Sequence, residues 1–315
     1  MHYSVFCNNV KENVQTNLGI EYNVNIIKVD KLNGLILQSM VIHKDQETIS
    51  PNIYMEQYYE KYQSGESIES LAALIIFDYF RADKQSKISV PNLTEFDSVK
   101  DKLFFKLINF NKNQELLKSI PHIKWLDLAI IFSILLKKDS DGIGSCHVKN
   151  ELISSWEVDL DCIFEHAKEN TPILFGSSVR SMDEIIRGMI SQDFIKGEVP
   201  SNVDDMFDLL LPRDNNIENP NKMYVASNTV GINGASWLLY KNELHTFSSF
   251  LQMDLYILPS SIHEIILIPS NKGISNHELL NMVKEVNCSQ VPVNEVLSDN
   301  VYFYEREQDK IHALF

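Results

Sequence analysis

The chain has 315 residues, of which 44% are hydrophobic and 23% charged, a mixture typical of a folded globular protein and not of a disordered one. Because 43 Asp and Glu outweigh 28 Lys and Arg, the net charge is −15, and we expect neither nucleic acid nor a membrane surface as a partner. The densest apolar stretch, residues 128–136, is about half as long as a membrane span.

Features of the N-terminus and the cysteines indicate a cytoplasmic protein. The first residues carry no basic stretch followed by a long apolar one, so the sequence predicts no secretory signal. The four cysteines are widely separated and form no C-x-x-C pair, which favours reduced thiols. They are Cys7, Cys146, Cys162 and Cys288.

Residues 1–90 are predicted to hold a strand hairpin followed by a helical hairpin. Residues 22–43 are rich in Val and Ile around Asn33-Gly34, a strand–turn–strand pattern. Ser50-Pro51 is a helix-start signal, and the helix is expected to end near Gly65. A second helix then places Ile68, Leu71 and Ile75 on one stripe.

Residues 91–200 are predicted to form an α+β domain in the order strand, helix, strand, strand, helix. The Asp141-Gly142 step is expected to close the hairpin between its second and third strands. Ser181 and Glu184 form a capping box that opens a further helix. The five elements are expected at 103–110, 114–120, 126–136, 144–148 and 159–169.

Residues 198–222 concentrate Asn, Asp and Pro and are predicted to be a linker to a C-terminal domain, residues 223–315. After a strand at 223–227, the β-α-β-β-α order recurs, and a strand at 301–304 closes the chain. The recurring elements are expected at 235–240, 243–251, 255–258, 262–268 and 277–286. Either an internal duplication or chance recurrence explains this order. The fold class is α+β with mainly antiparallel sheets.

Several strings of the chain resemble an uncharacterised domain-of-unknown-function family of clostridial genomes. The resemblance is strongest at 223–225, 231–235 and 254–264, and it covers most of the chain. The last third is also similar to a second uncharacterised family, of bacillar origin. The resemblance implies one full-length architecture and brings no activity, substrate or cofactor. The other matching strings are 49–54, 142–144 and 170–172.

A hydroxyl, an imidazole and a carboxylate occur together at Ser261, His263 and Glu264, which we expect to lie near the turn that carries Asn233. A hydrolase with dispersed catalytic residues is therefore one hypothesis. Along an extended strand, however, His263 and Glu264 point to opposite faces, whereas a catalytic relay needs its groups to converge. The alternative is a Pro-Ser-Ser turn that enters a strand.

The metal and phosphate motifs of the sequence are incomplete. Cys146-His147 and Cys162-x-x-x-His166 offer zinc ligands, but Cys146 and His147 alternate across a predicted strand. The Asp139–Gly144 segment resembles a calcium loop, yet it has Asn150 where a bidentate Glu is needed. No nucleotide-binding glycine motif is present. The sequence predicts neither a metal nor a cofactor.

A tyrosine series on the first predicted helix is a candidate binding surface, because tyrosines suit faces that a partner covers. Its members are Tyr54, Tyr58, Tyr59 and Tyr62. The alternative is that these residues pack the helical hairpin. With no enzyme motif in the chain, we favour a non-catalytic, intracellular protein-binding or regulatory module. An acidic nucleic-acid mimic is a third hypothesis.

Overall fold

Helices and antiparallel sheets make up the fold, which confirms the predicted α+β class. The computed structural model describes residues 1–44, 50–85, 91–139, 142–195, 222–270 and 275–314. The chain divides into two compact units, Met1–Ser89 and Val90–Phe315. No helix among the described residues is both long enough and apolar enough to span a bilayer.

The N-terminal unit packs helices against a three-stranded sheet of order β1-β2-β3. Strands β1 and β2 pair in antiparallel register around the turn at Asn33, whose φ of 60° is tolerated by asparagine. The elements in chain order are α1 (Tyr3–Leu18), β1 (Tyr22–Asp30), β2 (Ile36–Lys44), β3 (Asn52–Tyr54), α2 (Glu56–Gln63) and α3 (Ile68–Gln85).

The core of this unit arises from helical stripes that meet the buried face of the sheet. On α1 the buried residues Phe6, Val10 and Val14 recur every four positions, and α3 repeats this spacing with its own buried side chains. Val24 of β1 and Ile42 of β2 lie opposite each other and are both buried. The α3 residues are Leu71, Ile75 and Tyr79.

Two predictions for this unit were wrong. The chain begins with helix α1, not with strands. The helix expected from Ser50-Pro51 begins only at Glu56, because residues 52–54 pair with β2 at residues 39–41. Pairing with a neighbouring strand outweighs a local helix-start signal. The second helix of the hairpin lies where it was predicted.

The C-terminal unit contains two antiparallel sheets. In the first, β6 pairs with β4 along one edge and with β5 and β7 along the other. Its second expected strand begins at Leu128, because Leu126 adopts a left-handed conformation at φ 53°. The elements are α4 (Phe96–Val99), β4 (Leu103–Asn109), α5 (Gln114–Ser119), β5 (His122–Trp125), β6 (Leu128–Asp139), β7 (Gly142–His147), α6 (Asn150–Trp156) and α7 (Leu160–Phe175).

The second sheet has six strands in the order β13-β12-β10-β11-β9-β8. Buried polar groups connect it to the first sheet: Asn109 Nδ2 donates to the carbonyl of Leu297 at 2.9 Å, and Ser236 Oγ donates to the carbonyl of Phe105 at 3.3 Å. The elements are β8 (Ser178–Ser181), α8 (Met182–Ile195), β9 (Tyr224–Ser227), α9 (Glu243–Leu251), β10 (Leu255–Leu258), β11 (Ile265–Pro269), α10 (Asn276–Ser289), β12 (Val301–Glu305) and β13 (Lys310–Leu314).

The strand predicted at residues 235–240 was wrong, since residues 234–239 form a 3₁₀-helix. Five consecutive residues there are buried, so the segment lacks the alternation of a strand. The second β-α-β-β-α order therefore loses its first strand. The strand at 301–304 does not close the chain either, because β13 follows it.

The predicted linker, residues 198–222, lies outside the described residues except for Lys222, as does Asp141 of the predicted hairpin turn. Strand β8, which precedes the linker, pairs with β9, which follows it. The sheet of the predicted C-terminal domain thus takes one strand from the predicted middle domain. The division of residues 91–315 into two domains stays a prediction.

Candidate functional site

The loop that connects β10 and β11 holds the predicted catalytic residues, and its histidine binds two neighbouring segments. The backbone N–H of Asn233 donates to His263 Nδ1 at 3.2 Å. The other ring nitrogen, Nε2, lies 3.6 Å from Oε2 of Glu295. Because Nδ1 accepts a hydrogen bond, the neutral ring carries its proton on Nε2, which faces the carboxylate. His263 therefore connects the 233 turn to the segment at 295.

The structure does not bring the three predicted catalytic side chains together. The hydroxyl of Ser261 accepts from the backbone N–H of His263 at 3.0 Å, an interaction that closes the loop. The carboxylate beside the His263 ring belongs to Glu295, which is not among the residues predicted from the sequence. Glu264 is exposed and lines a different surface. This geometry does not favour the hydrolase hypothesis, since a relay requires convergent groups.

A close backbone approach fixes the Asn233 turn against this loop. Asn233 has φ 54°, and Ser227 Oγ donates to the carbonyl of His263 at 2.8 Å. A Cβ at Gly234 would lie 1.9 Å from Ser227 Oγ and 2.4 Å from the His263 carbonyl oxygen. Glycine is therefore required at 234, and the selected residue Asn233 contributes its backbone N–H to the packing of the loops.

Glu264 faces a small polar cleft of about 380 Å³ that also contains Arg180 and Asn228. The Asn228 side chain is already engaged: its Oδ1 accepts from the N–H groups of Val230 and Gly231, at 3.0 and 2.8 Å. The cleft wall is therefore a hydrogen-bonded turn whose polar atoms stabilise its own backbone.

The predicted tyrosine surface packs within the N-terminal unit. Tyr58 is 2% exposed, and its hydroxyl donates to Asp78 Oδ2 at 2.7 Å. The Tyr59 hydroxyl donates to the Met1 carbonyl at 2.9 Å. Tyr62 lies against Phe6 of α1, with ring centroids 5.2 Å apart. The remaining residue, Tyr54, has Lys31 Nζ 4.2 Å from its ring centroid.

Helix α3 exposes a second apolar stripe on the side away from its core residues. We define the α3 outer face as the exposed residues Ala73, Phe77 and Phe80. Phe77 is 62% exposed and Phe80 is 37% exposed. Ala73 and Phe77 are four positions apart and Phe80 follows three later, so they lie along one side of the helix. A helix that is apolar on both sides is expected to be covered on both.

A carboxylate in the turn between β5 and β6 collects three donors from the segment before and within β12. Asp127 Oδ2 accepts from Ser298 Oγ at 2.6 Å and from Asn300 Nδ2 at 3.0 Å, and Asp127 Oδ1 accepts from the Tyr302 hydroxyl at 2.5 Å. Burial, and then the negative charge of Asp127, raises the pKa of Tyr302 far above its usual range. This Asp127 network connects the two sheets of the C-terminal unit.

A lysine, two serines and a histidine lie together on three adjacent strands of the first sheet. Lys106 Nζ on β4 donates to Ser145 Oγ on β7 at 3.1 Å, and burial lowers the pKa of Lys106 to about 8. His147 Nδ1 lies 3.1 Å from Ser133 Oγ on β6. Burial, and then the positive charge of Lys106, lowers the pKa of His147 to about 4. We call these four residues the Lys106 cluster.

The cysteine and histidine residues that could serve as zinc ligands make contacts with other groups. His147 is bound to Ser133, and His166 on α7 packs against the Phe96 ring at 5.4 Å. Cys162 follows the N-terminus of α7, where its N–H donates to Asp159 Oδ1 at 2.8 Å. In the part of the chain that the structure describes, no three His, Cys, Asp or Glu side chains are placed to hold a metal ion.

A protein-family model covers almost the whole chain. The model is described as a family of unknown function, DUF5688, and it matches residues 3–306. The chain belongs to DUF5688. Comparisons with curated proteins and with solved structures give no match. The resemblance to an uncharacterised family is thereby confirmed, whereas its clostridial origin and the second, bacillar resemblance stay predictions.

The DUF5688 match spans both compact units, so it supports one full-length architecture but assigns no functional residue. The predictions from the sequence did not include the Lys106 cluster, the Asp127 network or the α3 outer face. For α3 a signal existed, because residues 71–77 are continuously apolar. For the other two, partners lie up to 175 positions apart in the chain, and only the pairing of the strands brings them together.

Proposed function

We propose that this DUF5688 chain is a non-catalytic, intracellular module that binds a partner protein through the α3 outer face. The observation that carries the proposal is the exposure of Phe77, at 62%, on a helix whose opposite side already forms the core. Large apolar side chains exposed together on one surface favour a protein interface. Four free cysteines are compatible with a reducing compartment.

The surroundings of the α3 outer face favour a partner of particular chemistry. Glu69 lies in the first turn of α3, four positions before Ala73, and is exposed. Since Glu69 and Ala73 share one side of the helix, the apolar stripe is flanked by a negative charge. A partner with an apolar groove and a basic residue at that end would match this surface, as in other helix-in-groove complexes.

The test compares Phe77→Ser with Phe250→Ser in tagged full-length chain. Phe250 is a matched control, because it is 66% exposed on a helix of the other unit. Proteins captured from cells of the source organism would be quantified by mass spectrometry. We expect a partner that Phe77→Ser loses and Phe250→Ser retains. With the purified partner, loss of a central aromatic anchor should weaken binding by about thirtyfold or more.

Two other occupants of the face would contradict the proposal. A photo-crosslinker at position 77 that reacts mainly with residues 90–315 of the same chain would show an intramolecular contact. Light scattering that gives a dimer for the wild type and a monomer for Phe77→Ser would show a second copy. The proposal would also be refuted if Phe77→Ser and Phe250→Ser captured the same proteins in the same amounts.

A further inference from the structure

The Lys106 cluster is an unusual group for the middle of an apolar sheet. A lysine in a protein interior is normally paired with a carboxylate. In the described part of the chain, Lys106 Nζ instead donates to the Ser145 hydroxyl at 3.1 Å and lies 5.1 Å from the centroid of the Phe104 ring. The charged form of the amine is therefore stabilised poorly.

Among the described residues, the titratable groups that interact with this amine supply no negative charge at neutral pH. His147 is neutral, because burial and the Lys106 charge lower its pKa to about 4. Burial raises the pKa of the Cys146 thiol, which keeps it protonated. With a pKa of about 8 for Lys106, about a tenth of the amine is unprotonated at pH 7, compared with well below about 0.1% for an ordinary lysine.

Three members of the Lys106 cluster keep part of their surface exposed to solvent. Lys106, Ser145 and His147 are each only partly buried. Strand β7, which carries Ser145 and His147, pairs only with β6 among the described strands, so its other edge has no strand neighbour there.

We propose that Lys106 is a nucleophilic site that captures a small aldehyde or ketone as a Schiff base. The amine lone pair attacks the carbonyl carbon, and the C=O π electrons move to oxygen to give a carbinolamine. Both amine protons leave with that oxygen as water, and a C=N bond to Lys106 remains. No oxidant or reductant is consumed. The Ser145 hydroxyl, within hydrogen-bond distance of Nζ, positions the amine. This inference is independent of the proposed partner protein.

The test is reductive trapping of the full-length protein with acetaldehyde and sodium cyanoborohydride at pH 7. Peptide mapping by mass spectrometry gives the rate at each lysine, and Lys124 is the matched control because it lies in the same sheet and is exposed. We expect Lys106 to be alkylated at least about tenfold faster than Lys124, despite its lower exposure. A Lys106 rate equal to or below that of Lys124 would overturn the proposal.

Three further measurements test whether the reactivity belongs to Lys106 in the folded protein and whether the adduct is an imine. In concentrated urea, the preference for Lys106 should disappear; if it persists, the folded cluster is not its cause. Lys106→Arg should remove the fast site and leave the Lys124 rate unchanged. Without the reductant, no stable adduct should survive acid, because the imine hydrolyses; a stable adduct would indicate different chemistry.

Discussion

Replacement of Asp127 by Ala should destabilise the C-terminal unit far more than loss of an ordinary surface carboxylate. The substitution removes the acceptor for Ser298, Asn300 and Tyr302. Ser298 and Tyr302 are both 0% exposed, so their hydroxyls would lose a partner without gaining water. Bonds to a charged acceptor contribute about 1.5–3 kcal/mol each and are not additive, so we expect a loss of about 3–5 kcal/mol.

The assay is urea unfolding of the full chain followed by tryptophan fluorescence. The chain has 3 tryptophans, and all of them lie in the C-terminal unit, so the signal reports on that unit alone. Far-ultraviolet circular dichroism follows the unfolding of both units, so the transition of the N-terminal unit serves as an internal reference. The tryptophans are Trp125, Trp156 and Trp237.

Asp97→Ala is the control, because Asp97 is exposed and pairs with its near neighbour Lys100 at the surface; its curve should match the wild type. Tyr302→Phe removes one donor and should cost about 1–2 kcal/mol. Combined with Asp127→Ala, it should add less than its separate cost, because the two side chains share a bond. An Asp127→Ala transition within about 0.5 kcal/mol of the wild type would refute the reasoning.

Three other substitutions test the close backbone packing at Gly234 and the titration of His147. Gly234→Ala, whose Cβ would meet backbone oxygen at 2.4 Å, should cost about 3 kcal/mol or more. Gly231→Ala has open space and φ of 73°, so it should cost only about 1–2 kcal/mol; similar urea midpoints for the two would contradict the close approach. His147 has a folded-state pKa of about 4, below its unfolded value, so stability present above pH ~6.5 is lost as the pH falls. Between pH 7 and 5 the wild type should lose about 1–2 kcal/mol relative to His147→Gln, and parallel pH profiles would show that the ring is not held neutral by burial.

Local signals in the sequence were reliable where short-range contacts decide the structure. Residues 243–251 and 255–258 form a helix and a strand at their predicted bounds. The capping box at Ser181 is present: the N–H of Glu184 donates to its hydroxyl at 3.2 Å, and its own N–H donates to Glu184 Oε2 at 3.2 Å. Such elements depend on neighbours within a few positions, which a single sequence contains.

The sequence-based predictions fail where contacts between residues far apart in the chain determine the local structure. Residues 52–54 became a strand because β2 offered an unpaired edge, and residues 234–239 became a 3₁₀-helix because the turn at Asn233 packs on the 259–264 loop. Likewise, Lys106 and Ser145 meet only because β4 and β7 flank β6. Nothing in the spacing of these residues indicates that register.

The position of Asp127 and Asn109 has a consequence for the order of synthesis. Strands β4 to β7 occupy one continuous stretch and can pair as soon as residue 147 has emerged, whereas β8 waits for β9. The acceptors and donors that Asp127 and Asn109 require lie at residues 297–302. Until about 150 further residues have been translated, Asp127 and Asn109 can bond only to water or to local groups, and the side of the first sheet that packs on the second stays uncovered, the interval in which the nascent chain most needs protection from aggregation.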